Sequence, residues 1–398
     1  MEHKNIAVIT GTRAEYGLLR PVIRRLLDSH VLHPQVLVTG AHLAPEFGNT
    51  VQEIEADGIP IEARIPILKF GQGPEATAMT VAYTIQEFTR WFLEHRPLAV
   101  LVLGDRYEIF AAAQAAAFAG VPIAHISGGD VTLGAADDWY RHCITKMAHL
   151  HFPSCREYAR RVVRMGENPS TVFNVGGLGD ENIRTMPKMT RKELSESLRF
   201  DLSGKFGLVT FHPETAGGAD PAEQMRRMLA AMEQLEESQD IRWLITKANA
   251  DAGGQTVNAL IDDWTARRPG RAISFTSLGV RRYLSAMQCA ALVAGNSSSG
   301  VVETPSFGVP TVNVGQRQAG RIICDNVLCC PAEQDAILAA MQTALSPEFA
   351  AKARATVSPY NGGATSRRIV SILEQKITEP GFGAPKGFYD GEESSWNC

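Results

Sequence analysis

Along the chain, short apolar runs rich in β-branched residues alternate with longer stretches whose apolar positions recur at helical spacing. Ile6 to Thr10 (IAVIT) reads as a buried strand, and an amphipathic helix follows it to about Ser29. Gln35 to Thr39 is a second strand, and Thr77 to Glu94 a helix. Leu98 to Leu103 (LAVLVL) is another buried strand, followed by an alanine-rich helix over Tyr107 to Ala119 and a strand over Pro122 to Ile126. Asp137 to His149 returns to helix, while Leu150 to Pro153 and Thr171 to Val175 read as further short strands. A second series opens near Phe206, with strands at Phe206 to Phe211, Ile241 to Thr246, Ala272 to Thr276, Leu292 to Ala294 and Thr311 to Val314. A long helix spans Pro221 to Gln239, a short one runs from Ser297 to about Phe307, and a last one covers about Thr365 to Lys376.

Near-continuous apolar strands separated by helices predict parallel sheets covered on both faces, hence an α/β fold. At 398 residues, two such domains are expected, each able to bury a core. Gly176 to Ser203, rich in glycine and charge, reads as the linker, and the polar tail from Pro380 to Cys398 as loosely held.

Composition narrows the function classes. A net charge of −4 provides no broad basic field, which argues against nucleic acid or a membrane surface as partner. The most apolar stretch, Ile109 to Ala124, is short and interrupted by Gln114, Gly120 and Pro122, so no membrane span is expected. Met1 to Asn5 is polar and leads straight into a strand, so no signal peptide is expected either. Seven scattered cysteines without CxxC spacing read as reduced thiols of a cytoplasmic protein.

The chemistry concentrates at strand ends. After the Leu292 to Ala294 strand, Gly295-Asn296 turns the chain, and Ser297, Ser298, Ser299 and Gly300 open a helix. Free N–H groups and serine hydroxyls at such a turn form a phosphate cradle. Glu303, one turn further, can accept hydrogen bonds from a ribose diol, and Arg317 and Arg321 follow the next strand. In a parallel sheet, sites form at the carboxyl ends of strands. Arg13, His42, Asp105, Arg106 and Asp130 all sit there, and His212 follows the Phe206 to Phe211 strand. His125 and His142 read equally as packing residues or as participants. Asp137-Asp138 at a helix start reads as dipole partners rather than a Mg²⁺ site. GxGxxG, GxxxxGK[ST], HExxH and GxSxG are all missing, so no nicotinamide, metal or other cofactor is expected.

Several motifs together resemble the hydrolysing UDP-N-acetylglucosamine 2-epimerases. They are Gly11-Thr12-Arg13-Ala14-Glu15-Tyr16-Gly17, Gly104-Asp105-Arg106-Tyr107-Glu108, Arg141-His142-Cys143-Ile144-Thr145-Lys146 and Thr246-Lys247-Ala248-Asn249-Ala250-Asp251, then Gly295-Asn296-Ser297-Ser298 and Gly315-Gln316-Arg317-Gln318-Ala319-Gly320-Arg321. They occur in order, and the likeness runs from about residue 4 to residue 376. The resemblance implies a GT-B-like fold: two Rossmann-like domains with parallel sheets facing across a cleft. It sets residues 1–177 as the first domain and 178–364 as the UDP-binding domain, with the helix and tail of 365–398 packing back on the first.

The same resemblance implies roles for individual residues. Asp105, Asp130, Asp137, Asp138 and His212 would surround the sugar as catalytic candidates, with His42, Arg141 and His142 binding it. Ser297 and Ser298 would hold the diphosphate, aided by Arg13, Arg106, Asn249, Asn296 and Arg317. Glu303 would take the ribose, and Ser277 and Leu278 the uracil. One departure stands out: relatives commonly carry Glu or His where this chain has Ser127, leaving Asp130 as a candidate base. The implied reaction removes the C2 proton as UDP leaves C1, then hydrates the glycal with C2 inverted. The expected substrate is UDP-GlcNAc, yielding N-acetylmannosamine for sialic-acid-type sugars, and the expected assembly is a homo-oligomer, dimer or tetramer. The diacetamido-trideoxy UDP-sugar, a GT-B glycosyltransferase and a non-catalytic UDP-sugar sensor remain open alternatives.

Overall fold

The computed structural model describes residues 4–71, 73–133, 137–214, 220–248 and 253–391. Within it, twelve strands form two six-stranded parallel sheets. The first holds β1 (Lys4–Thr10), β2 (Leu32–Thr39), β3 (Ala63–Ile65), β4 (Ala99–Leu103), β5 (Ile123–Ile126) and β6 (Leu150–Phe152), in the order β3-β2-β1-β4-β5-β6. The second holds β7 (Lys205–Thr210), β8 (Ile241–Thr246), β9 (Ala272–Phe275), β10 (Leu292–Gly295), β11 (Thr311–Val314) and β12 (Val327–Cys330), in the order β12-β11-β10-β7-β8-β9. Read from their own first strands, the two sheets share one Rossmann-like topology.

Of the described residues, unit 1 takes those within Met1–Asp130, Ala136–Asn182 and Pro359–Cys398, and unit 2 those within Val131–Ala135 and Ile183–Ser358. Period-two alternation along each strand feeds two apolar layers per sheet. In β1, Ile6 and Val8 enter one layer and Ala7 and Ile9 the other. In unit 2, β8 does the same with Trp243 and Ile245 against Leu244. The Thr365–Thr378 helix places Ile369, Val370, Leu373 and Ile377 in the layer that also holds Leu19, Val22 and Leu26 of the Arg13–Leu27 helix.

This topology locates the crevices. Strand order reverses between β1 and β4 in unit 1 and between β7 and β10 in unit 2. The loops leaving those strands diverge to opposite faces, which opens a binding crevice at their carboxyl ends. The loops are Gly11-Thr12 and Gly104-Asp105-Arg106 in unit 1, and Phe211-His212 and Asn296-Ser297-Ser298 in unit 2. No helix among the described residues is long and apolar enough to cross a membrane.

Four sequence expectations are corrected. Thr171 to Val175 is not a strand: a 3₁₀ turn occupies Pro169–Thr171, and only Val172 bridges to His151 of the three-residue edge strand β6. The stretch from Ser297 to Phe307 is not one helix but two single turns, Ser299–Val302 and Thr304–Phe307. Pro305 has no N–H to continue the ladder, so the helix breaks at Glu303. The span read as a linker carries two helices, Leu178–Thr185 and Arg191–Leu198, the second closed by a Thr190–Glu193 capping box. The tail is tethered through its described part. Lys386 Nζ donates to Ala148 O at 2.7 Å and to Glu167 Oε2 at 2.6 Å, and the Tyr389 N–H donates to Gly166 O at 2.9 Å. Hydrogen bonds from His151, Lys146 and Lys386 outweigh burial and hold Glu167 at about 2.

Candidate active site

In unit 1 the crevice is organised by one buried cation. Arg141, on the Asp137–Met147 helix, is only 2% exposed. Its Nε donates to Asp105 Oδ2 at 2.9 Å, and its Nη2 makes a second, short bond to the same oxygen. Nη1 donates to the Asp130 carbonyl at 2.9 Å and to Asp138 Oδ1 at 3.2 Å. Burial disfavours the charge, but Asp105, Asp130 and Asp138 more than offset it, so Arg141 stays protonated. A buried guanidinium with that many acceptors fixes the ends of β4 and β5 and the start of the helix in one register.

Asp137 stands in the first turn of the same helix, partly buried. Burial, and next the charge of Asp105, push it up to about 6. A carboxyl group poised there exchanges protons readily near neutral pH. His142 Nε2 lies 3.5 Å from Asp138 Oδ2, and burial lowers its pKa. Asp130 meets the Tyr158 hydroxyl, which in turn lies 3.1 Å from the Tyr360 hydroxyl.

The loop before Asp130 is tight. Ser127 adopts φ 66°, a left-handed backbone that costs a non-glycine residue about 1–3 kcal/mol. A Cβ at Gly128 would come within 2.9 Å of Thr145 Oγ1 and 3.0 Å of His125 Nδ1. His125 is fully buried, its nitrogens 2.9 Å from Gly104 O and 3.2 Å from Thr145 Oγ1, and burial pushes it down to about 3. It is a packing residue. His42 is likewise fully buried, between Thr10 Oγ1 at 3.0 Å and Thr50 Oγ1 at 2.8 Å, and burial lowers it to about 4. With both ring nitrogens engaged, His42 braces the turn after β1 and offers no free ring edge to a sugar.

Unit 2 repeats the strategy with an amide in place of a cation. Asn296, fully buried, accepts the His212 N–H at 2.7 Å and donates Nδ2 to His212 O at 2.8 Å. Its own carbonyl accepts Arg317 Nη1 at 3.2 Å and Gln318 Nε2 at 2.9 Å. Glu214 Oε1 holds the Gln316 and Arg317 N–H groups at 2.8 and 3.3 Å. Burial, then the Arg317 charge, keep His212 down at about 4, so it is neutral at physiological pH. Gly295, at φ 127°, must be glycine because a Cβ would collide with Thr210 O.

Ser297 and Ser298 stand partly exposed at the turn beyond Asn296, and Ser298 precedes the first short helix without a side-chain cap bond. Burial pushes Glu303 up to about 7, against a hydrogen bond with Ser299. Tyr283 lines a narrow cavity with Thr210, Gly295, Ser297 and Asn313. Burial raises its hydroxyl to about 12, while bonds with Thr210, Ser299 and Ser297 oppose the rise.

Most of the expected residues therefore gather at the two crevices. Asp105, Asp130, Asp138 and Arg141 are hydrogen-bonded together, with Asp137 and His142 beside them. Arg106 lies next to them at the end of β4, and Arg13 opens the helix after β1. His212, Asn296 and Arg317 join in unit 2. Ser277 and Leu278 follow the edge strand β9. Leu278 is buried in the apolar core, so it can offer a base only main-chain atoms. Asn249 lies outside the described residues. Sequence reasoning missed Tyr283, for which no motif signals, and the buried acids Glu15 and Glu108. The Thr12-Arg13-Ala14-Glu15 capping-box spacing was available as a sign of Glu15.

Two Rossmann-like units, each with a polar crevice at its switch point, define a protein of the GT-B-like fold class. Residues 24–374 match the family described as UDP-N-acetylglucosamine 2-epimerase, and the chain belongs to that family. Among curated proteins it is similar to the GDP/UDP-N,N'-diacetylbacillosamine 2-epimerase (hydrolyzing) of Campylobacter jejuni, 36% identical over 82% of this chain and 84% of that one. It is also similar to polysialic acid biosynthesis protein P7 of Escherichia coli, 33% identical over 90% of each chain. Its fold resembles the crystal structure of UDP-GlcNAc 2-epimerase from Neisseria meningitidis bound to UDP-GlcNAc, with a TM-score of 0.79 at 18% identity, covering 93% of this chain and 100% of that one.

Proposed function

We propose that this protein is a hydrolysing 2-epimerase that converts a UDP-activated acetamido sugar and water to UDP and the free C2-inverted sugar. The observation that carries the reading is the acid cluster about Arg141, in which Asp105 and Asp138 accept hydrogen bonds from the guanidinium and Asp137 is held at about 6. The C2 hydrogen is weakly acidic, so a carboxylate must remove it as UDP departs from C1. In this reading Asp137 or Asp130 takes the proton, since the Ser127 hydroxyl is too weak a base near neutral pH. Ser297, Ser298 and Arg317 stabilise the charge that grows on the diphosphate, the largest electrostatic contribution to such a step. Glu303 receives the ribose hydroxyls. Water then adds to C1 of the glycal, and a proton returns to C2 on the opposite face.

The similarity to relatives named for N,N'-diacetylbacillosamine, one for its GDP or UDP form and one for its UDP form alone, favours the UDP-linked 2,4-diacetamido-2,4,6-trideoxy sugar as substrate. UDP-GlcNAc is the second reading, favoured by the description of the matching family. The test is incubation of the pure protein with each nucleotide sugar while free UDP and free sugar are quantified. Stoichiometric UDP and C2-inverted sugar from the diacetamido substrate are expected, with UDP-GlcNAc turned over at least tenfold more slowly. Faster turnover of UDP-GlcNAc selects the second reading. Transfer of the sugar to an acceptor, or binding without turnover of either, rejects the epimerase assignment.

A further inference from the structure

The loops leaving β1 and β4 each carry a glutamate into the interior of unit 1. Glu15, in the first turn of the Arg13–Leu27 helix, accepts the Gly11 N–H at 2.7 Å and the Thr12 N–H at 3.1 Å through Oε2. Glu108, in the first turn of the Tyr107–Phe118 helix, accepts Arg106 Nε at 2.5 Å through Oε1. Both side chains converge on Gly11. A methyl group there would lie 3.0 Å from Glu108 Cγ, 3.2 Å from Glu108 Oε1 and 3.3 Å from Glu15 Oε2. The remaining oxygens, Glu15 Oε1 and Glu108 Oε2, are buried with no hydrogen-bond partner among the described residues.

Two carboxylates so close, served by one guanidinium, cannot both stay ionised at low cost away from water. A single proton resolves both problems. It removes the excess charge, and it turns one of the two acceptor-only groups into an O–H donor. We propose that Glu15 and Glu108 share one proton at neutral pH, and that the pair is a positioning device locking the Gly11-Thr12-Arg13 turn to the Gly104-Asp105-Arg106 turn. Arg13 and Arg106 are thereby held in place for the diphosphate of the UDP-sugar. The positioning half of this inference rests on the UDP-sugar reading.

The electrostatic surroundings agree. Burial, then the Glu108 charge, push Glu15 up to about 8, although Arg106 and the Gly11 and Thr12 N–H groups pull the other way. Burial lowers Arg106, but the charges of Glu108 and Glu15 more than reverse this. His42, whose N–H reaches Gly11 O, is held at about 4 and is neutral. Tyr107 is pushed up to about 12 by burial and by Glu108, and Asp137 also feels Glu108 and Arg106. When the shared proton leaves, two buried anions face one cation and the turns are driven apart.

The experiment uses the full chain with ¹³C-labelled glutamate carboxyls. A glutamate titrating near pH 8 in the wild type and absent from Glu15→Gln is expected. A protein in which every glutamate titrates below about pH 7 overturns the proposal. Glu108→Gln supplies an independent check. It removes the repelling charge, so the Glu15 titration should fall by about one unit or more, and an unmoved titration overturns the shared proton. UDP affinity by calorimetry reads the positioning role. Between pH 7 and pH 9 it should fall about tenfold more in the wild type than in Glu15→Gln, which mimics the protonated acid. Equal declines overturn that role. A protein that shows the titration but binds no UDP at any pH keeps the proton pair and loses both the positioning role and the UDP-sugar reading.

Discussion

The Asn296 side chain clasps the main chain of His212 from both sides, accepting its N–H at 2.7 Å and donating to its carbonyl at 2.8 Å. A primary amide offers a donor and an acceptor side by side in a single plane. The clasp ties the loops after β7 and β10 together across the switch point of unit 2. Asn296→Ala leaves two buried main-chain groups unpaired and should cost about 2–4 kcal/mol of stability. Asn296→Asp keeps the acceptor but sets a buried carboxylate oxygen against the His212 carbonyl, and should cost at least as much. Urea unfolding measures both, and an alanine variant within about 0.5 kcal/mol of wild type would show that the clasp is incidental.

Asp137 predicts two pH dependences. Its folded-state pKa, about 6, is raised above the ordinary 3.8. The folded state therefore holds the proton more tightly than the unfolded chain. The stabilisation is fully present below pH 3.8 and is lost as pH rises through about 6. Asp137→Asn should flatten that segment of the stability curve. If the ionised group is the base, kcat should also fall on the acid side of about pH 6. A variant with the wild-type pH profile and full kcat would remove Asp137 from the chemistry.

Ser298 and Arg317 should mainly bind UDP, whereas Asp130 and Asp138 should mainly act on the sugar. Ser298→Ala and Arg317→Ala each delete a donor to a charged diphosphate, worth about 1.5–3 kcal/mol, so UDP affinity should drop roughly ten- to a hundredfold. Asp130→Asn and Asp138→Asn should lower kcat about 10²–10⁴-fold with UDP binding nearly intact. Calorimetry beside steady-state kinetics separates the two. Aspartate variants that lose UDP but keep kcat at saturation contradict the division.

Turnover in D₂O tests the elimination step. Removal and return of the C2 proton should place deuterium at C2 of the free sugar, read by NMR or mass spectrometry. A product wholly protiated at C2 is incompatible with the glycal route.

The central strands were readable because burial on both faces turns them into unbroken apolar runs, as in β1, β4 and β10. Their carboxyl ends were readable for the complementary reason, since a structural sheet does not require polar residues such as Asp105, Arg106 and Asp130 there. The edge strands β3 and β12 escaped notice because each is half-covered and short, Ala63–Ile65 and Val327–Cys330, and carries no continuous apolar signal. Strand order was not readable, so neither was the pairing of Glu15 with Glu108 or of Asn296 with His212. Those contacts join residues that only the switch point makes neighbours. Tyr283 was invisible for the same reason, being one aromatic on an otherwise ordinary amphipathic helix. The break at Glu303 was foreseeable from Pro305, whose missing N–H interrupts the ladder wherever the helix runs.

The Thr365–Thr378 helix has a consequence for synthesis on the ribosome. The apolar strip formed by Leu19, Val22 and Leu26 leaves the exit tunnel early, yet the side chains that cover it, Ile369, Leu373 and Ile377, are among the late ones. Between the two comes the whole contiguous stretch Ile183–Ser358. At about 5–20 residues per second, the nascent first sheet carries that sticky flank for on the order of 10–40 s while the inserted unit is made and folds. Chaperone demand should therefore fall on the N-terminal half of the nascent chain, although that half is translated first.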